Sequence, residues 1–338
     1  MLDQPAQPSR LAAVAPITAV AVAGDRFVAV GPRGHVLASG TKDIRWQQMS
    51  VPTSADLTAV HFVSASTGWA VGHGAAILHT QDGGRTWVRQ LDGREGARQM
   101  VAFYQQGVDK GDESLRPFLE EAQHMVADGP GRPLLSVWFR DAQNGFAVGA
   151  FNLILRTQDG GKTWAPWLHR TDNPRMLHLT SVTGDARNVV IVGEQGLVLR
   201  LDDITQRFVA MTSPYKGTFF GSLIPEPGSL LVFGMRGSAY FTRDGGAQWE
   251  HIETGDPSAL TGGTLLGGGQ SALVTQSGKV LLYRAGQAHV DALPATQPMP
   301  YAGVAAAADG TLALVGFGGV RTAAVAAARG DLNKGAVK

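Results

Sequence analysis

The sequence predicts an all-β fold, a seven-bladed β-propeller built of four-stranded antiparallel blades. Three observations lead there. An apolar phrase ending in glycine recurs as FVAVGPRG, WAVGHGA, FAVGAFN, VIVGEQG, LVFGMRG, ALVTQSG and LALVGFGG. It is anchored at Gly31, Gly72, Gly149, Gly193, Gly234, Thr275 and Gly316, with gaps of 41, 77, 44, 41, 41 and 41 residues. A second phrase ends in Trp46, Trp87, Trp164, Phe208, Trp249 and Val290, with gaps of 41, 77, 44, 41 and 41. Two independent signals in one register mark a repeat whose length suits a blade of four strands. Glycine, finally, makes up 44 of 338 residues, against a usual share of roughly 7%. Without a G-X-Y period, that excess fits many tight turns.

The anchors predict a hairpin between the second and third strands of each blade. Three residues on stand Gly34, Ala75, Asn152, Gly196, Gly237, Gly278 and Gly319, mostly types that accept a positive φ. Ala75 is the exception, with Gly74 beside it to take the special dihedral. In the second blade, strands are expected at 58–62, 68–71, 76–80 and 86–90, short runs bounded by turn residues. The last unit offers three strands and ends in a polar tail. The spare segment 10–14 is therefore expected as the outer strand of blade seven, joining the chain ends and covering an exposed edge. One propeller over 10–326 results, with flexible tails at 1–9 and 327–338.

The 77-residue gap holds an insertion, 92–131. Leu115, Phe118, Leu119, Ala122, Met125 and Val126 fall at helical spacing. Ser114 suits an N-cap, Pro117 the first turn and Gly129 the stop. A shorter amphipathic stretch at 97–104 precedes it. The segment carries eight acidic residues, Glu120 and Glu121 among them, against four basic ones. It reads either as a surface helix with a solvated back or as a recognition element. Its connection predicts a place on the hairpin face, near the central channel.

Three octets, TQDGGRTW, TQDGGKTW and TRDGGAQW, resemble the Asp-box of many propellers. Asp82, Asp159 and Asp244 are expected to accept turn N–H groups, and Trp87, Trp164 and Trp249 to fill the space behind. Both sets read as structural.

A net charge of +1, from 29 basic and 28 acidic residues, gives no reason to expect nucleic acid as the partner. With no Cys, thiolate metal sites and cysteine nucleophiles are excluded. GGKT at 160–163 lacks the first glycine of a phosphate loop. The nine His show no metal spacing, and no G-x-S-x-G elbow is present. No catalytic residue, metal or cofactor is expected. No apolar run is long enough to cross a bilayer, and the first residues lack the pattern of a signal peptide.

Leu57–Trp87 and Leu134–Trp164 match a blade consensus almost throughout. It resembles that of the Ycf48/HCF136-like photosystem II assembly factors, in a non-photosynthetic bacterial branch. The resemblance implies a seven-bladed, non-enzymatic propeller that binds a membrane-protein partner in an extracytoplasmic, for instance periplasmic, compartment. It also implies an arginine patch on one face, and association with transporters of the resistance-nodulation-division type. Arg33 and Arg236 occupy the third hairpin position and are expected on that face. Tyr215, Lys216 and Phe219, in SPYKGTFFG, lie on a connection to it and read either as packing residues or as partner contacts. Glu120 and Glu121 complete the candidate surface. The free protein is expected to be a monomer. The rival reading is a glycan-binding or sialidase-like propeller, which also carries Asp-boxes.

Overall fold

The computed structural model describes residues 1–294 and 298–325. Their strands form seven antiparallel sheets with sequential strand order, six of four strands and one of three. Innermost strands of successive sheets lie side by side, and the last, Tyr301–Ala306, returns to the first, Ala19–Ala23. The sheets are thus the blades of a closed ring.

The second strand of most blades explains the apolar phrases. Gly68–Gly72, Gly145–Gly149, Val189–Gly193 and Leu230–Gly234 are buried at every residue. Each is covered on both faces by neighbouring blades, so the usual strand alternation disappears. Trp69 stacks on Phe139 of the next blade at 3.5 Å between ring centroids. The anchor glycines have a related cause. A Cβ on Gly72, Gly149, Gly193, Gly234 or Gly316 would collide with the carbonyl oxygen of the segment entering the same blade.

A threonine near the start of several inner strands ties adjacent blades together. The Thr58 hydroxyl lies 3.1 Å from the Val71 carbonyl of its own blade and 2.7 Å from the Leu134 carbonyl of the next. Thr18, Thr180 and Thr261 repeat the pair of bonds. These hydroxyls satisfy carbonyls at the inner edge, where the sheet ladder stops.

The second blade has strands Leu57–Phe62, Gly68–Gly72, Ile77–Thr80 and Val88–Leu91, within two residues of expectation. The hairpins are tighter than glycine spacing suggested. Arg33 and Gly34 both have positive φ, as do Gly74 and Ala75, Phe151 and Asn152, Gln195 and Gly196, and Arg236 and Gly237. Gly74 takes the left-handed region (φ 68°) as expected, and Ala75 adopts it as well (φ 48°).

Closure differs from expectation. Residues 10–14 form turns rather than a strand, and the seventh sheet has three strands among the described residues. The segment instead wedges between blades seven and one. Ala12 and Ile17 are buried against Val315, Val320, Ala29 and Leu37. The Val320 N–H donates to the Ala13 carbonyl at 3.0 Å, and the Ile17 N–H to Gly316 at 3.1 Å. The physical reason is local: turns closed by the N–H groups of Ala12, Val14 and Ala15 on the Ser9 and Leu11 carbonyls cap the hairpin end, and the apolar residues fill the blade junction. The first residues are also seated, not loose. The carbonyl of Met1 accepts from Ser54, and Asp3 pairs with Arg89 and Arg94. The expected tail at 327–338 lies outside the described residues.

The insertion is a helical hairpin, α1 (Gly93–Asp109) and α2 (Arg116–Asp128). The longer helix is the first, capped by the Asp92 carboxylate. The sequence pattern understated it because glycines at 96 and 107 dilute its apolar stripe. Asp112, rather than Ser114, accepts at the entrance of the second.

Candidate functional site

Two faces can be told apart by their hydrogen bonds. Hairpin turns pack on the segments entering the blades, as where the N–H groups of His73, Ala150 and Met235 donate to Asp56, Pro133 and Thr218. Asp-box turns pack on the loops between first and second strands, as where Gly83 donates to Ser66 and Gly160 to Gln143. Strand direction puts these two sets at opposite ends of each blade.

The Asp-boxes are built as turn locks. One Asp82 oxygen accepts the N–H groups of Arg85 and Thr86, both at 2.9 Å, while the other takes the Thr86 hydroxyl at 2.6 Å. The Thr80 hydroxyl also reaches Asp82 at 2.9 Å. Partial burial pushes this carboxyl up, but the combined hydrogen bonds from Thr86, Thr80 and Arg85 hold it below its ordinary value. Asp159 repeats the arrangement. Asp244 keeps its bonds from Thr242 and Gln248. Trp87 and Trp164 are buried, and the Trp87 indole N–H donates to Gly84 at 3.0 Å. Trp249 is less enclosed and donates to Thr212 at 2.9 Å.

A cavity of about 770 Å³ occupies the ring centre. Its wall holds Thr18, Thr58, Leu135, Thr180, Phe220 and Thr261 from the inner strands, and Met235, Gln276 and Phe317 from hairpins. It therefore opens on the hairpin face. Among the described residues no carboxylate, arginine, lysine or histidine lines it. A pair of acidic groups for glycoside cleavage is not present there. Among the described residues, no group of three or more His, Asp or Glu could hold a metal ion.

Around the mouth, Phe317 is 70% exposed, Phe151 48% and Met235 39%. Met235, Gln276 and Phe317 stand at the second hairpin position, which faces the channel. The third position, the left-handed one in blades one and five, carries Arg33 and Arg236 to the surface. The backbone N–H of Arg33 donates to Asp56 at 2.8 Å, which fixes the turn. The sequence singled out only the third position. The channel-facing second position was legible in the same repeat, as the residue after each anchor.

The other candidates separate. Lys216 is exposed. Tyr215 is half-buried and its hydroxyl donates to the Met235 carbonyl at 3.2 Å, which ties it to the blade-five hairpin. Phe219 is not on the surface. It is fully buried with Val190, Val192 and Val232 between blades four and five. Strand alternation sends Phe219 into the blade and its neighbour Phe220 to the channel. Glu120 is exposed, whereas Glu121 is paired with Arg132, whose guanidinium lies 5.2 Å from the Phe151 ring centroid. The insertion begins beside the blade-two hairpin but does not reach the channel, and none of its residues lines the cavity. It packs outward, where Tyr104 and Phe118 meet His169 beside the short outer strand of blade three. Burial, with the charges of Arg170 and Arg207, pushes the His169 pKa down to about 4.

Residues 38–112 and 127–252 match the family model described as photosynthesis system II assembly factor YCF48. The chain belongs to that family. The interruption of the match falls on α2, so Ycf48-type blades flank a helix outside the family pattern. A Ycf48 protein of Synechococcus sp. (strain JA-2-3B'a(2-13)), named a photosystem II assembly protein, is 33% identical over 135 residues, 36% of this chain and 40% of its own. One of Synechococcus sp. (strain CC9902), named a photosystem II assembly lipoprotein, is 28% identical over 133 residues, 37% and 38% of the two chains. The matches span about two fifths of these relatives' length. The solved structure of YCF48 bound to D1 peptide superposes with a TM-score of 0.67 at 14% identity, covering 93% of this chain and 94% of that one. At that identity the likeness is one of fold. Among the described residues, no helix is long and apolar enough to cross a membrane.

Proposed function

We propose that this protein is a non-catalytic docking propeller that holds a segment of a membrane protein at its hairpin face during assembly or operation of a membrane complex. The observation that carries the reading is the channel mouth. It combines an uncharged cavity, an exposed rim of Phe317 and Met235, and the outward cations Arg33 and Arg236. Such a mouth offers apolar anchorage with a polar, charged rim, the anatomy of a protein-binding site. Among the described residues the cavity wall holds no carboxylate, histidine, lysine or arginine, which favours holding over catalysis. Relatives named as assembly proteins, and one solved with a D1 peptide bound, support a protein ligand.

The expected setting is extracytoplasmic, in line with the lipoprotein relative, and the partner class suggested by the bacterial branch is a resistance-nodulation-division transporter. The test is affinity purification from host membranes with mass spectrometry, comparing the native protein with Phe317→Asp and with Arg33→Glu/Arg236→Glu. Loss of one membrane protein from both variants, with folding intact, supports the reading. Equal recovery with all three proteins contradicts it.

A further inference from the structure

We propose that the outer edge of blade seven is an acceptor site for an extended apolar segment of a partner protein that carries a carboxylate. The seventh sheet ends at Gly319–Ala324, and among the described residues no strand pairs with that edge. Its register is known. The Val320 N–H donates outside the sheet, to Ala13. By the two-residue period of an antiparallel ladder, Thr322 and Ala324 turn their N–H and C=O groups the same way. Four consecutive ladder groups thus face outward with no backbone partner among the described residues.

The edge is also recessed. It forms the floor of a groove of about 540 Å³, walled by Ile44 and Trp46 of blade one and by Leu293 and Pro294 of blade six. The groove occupies the position that a fourth strand fills in the other blades. A single extended chain laid along that floor would complete the sheet by strand addition. The chemistry of the occupant follows from the lining. Apolar walls call for apolar side chains at alternate positions. Arg321 also lines the groove; its Nη1 donates to the Val320 carbonyl at 2.8 Å, while among the described residues its buried Nε has no acceptor and no lining residue is acidic. An unpaired buried guanidinium donor is costly and favours a carboxylate in the incoming segment. This site is separate from the hairpin mouth, and its success or failure is independent of that reading.

The experiment uses the full chain and a fluorescein-labelled hexapeptide, Thr-Val-Glu-Val-Thr-Val, read by anisotropy. Saturable binding is expected. N-methylation of one alternate set of peptide amides should weaken it at least about tenfold, and methylation of the other set should not, since only one set faces a ladder. Thr322→Pro, which removes one outward N–H on an edge where proline is tolerated, should abolish binding with the melting temperature retained. Ala324→Pro is the second variant should the first fail to fold. Arg321→Gln should weaken binding severalfold for this peptide and not for its Gln-substituted version. Binding indifferent to both methylations, or no binding at all, overturns the proposal. So does binding that requires removal of 327–338, which would make the protein's own terminus the occupant. A concentration-dependent dimer abolished by Thr322→Pro would make a second copy the occupant and would equally overturn it.

Discussion

Trp87 shows how much one side chain can do in this fold. It lies behind its Asp-box, meets Phe62 edge-on and donates to Gly84. Trp87→Ala should cost about 3–5 kcal/mol, the range for truncating a large core aromatic, and thermal or denaturant unfolding will read it. Phe219→Ala should behave alike, losing stability without a separate effect on capture, because that ring never reaches the surface. Arg33→Glu with Arg236→Glu should do the opposite, leaving the melting temperature nearly fixed and weakening capture. Both halves of that contrast follow from burial. The repeat made the Asp-box roles legible in the sequence, since each octet carries its own acceptor, glycine and indole. Phe219 was not legible as core, because a connection rich in Ser, Pro, Lys and Gly hides where the strand begins, and the in-out alternation with it.

Inter-blade threonines and the helical hairpin set the behaviour of whole elements. Thr58→Val keeps shape but strips a hydroxyl shared by two blades. The Val71 and Leu134 carbonyls would lose their shared donor, at a cost of roughly 1–3 kcal/mol, measurable by chemical denaturation. The helical hairpin is seated on His169, which is neutral in the folded protein because burial and the charges of Arg170 and Arg207 lower its pKa to about 4. Tyr104 bonds its Nδ1 at 3.2 Å, and the more distant Asp112 acts weakly in the opposite sense. An undocked imidazole titrates near 6.5. Seating is therefore fully stabilised above about pH 6.5 and loses support as pH falls from there towards 4, while the released state gains protons. Amide protection factors across 93–128, that is exchange rates corrected for their intrinsic pH dependence, should fall in that window, and His169→Phe should flatten the dependence. Unchanged protection factors between pH 7 and 5 would show that this histidine does not govern the seat. The outer position of the hairpin escaped the sequence because its apolar stripe says what it buries, not which blade supplies the partner.

For the molecule as a whole, the ring was legible and its closure was not. Forty-one-residue spacing fixes how many blades there are, whereas closure depends on how the chain start meets blade seven. Residues 10–17 contribute buried side chains and two backbone bonds to that junction, not a strand. Removing 9–14 should still destabilise or oligomerise the protein, by opening the blade seven–blade one junction, and sedimentation with thermal melting will test it. The channel mouth was half legible. Arg33 and Arg236 stood out as charges in a repeat, while Phe317 and Met235 passed as ordinary apolar residues because only the ring shows that they share one rim. Capture at that rim is the central claim. Its most direct test is photo-crosslinking in host membranes, with the reactive residue placed at Phe317 or Arg236 on the hairpin face and at Arg85 or Lys162 on the Asp-box face. The same membrane protein should be captured from 317 and 236 and not from 85 or 162. Capture from 85 and 162, with silence at 317 and 236, would contradict the account.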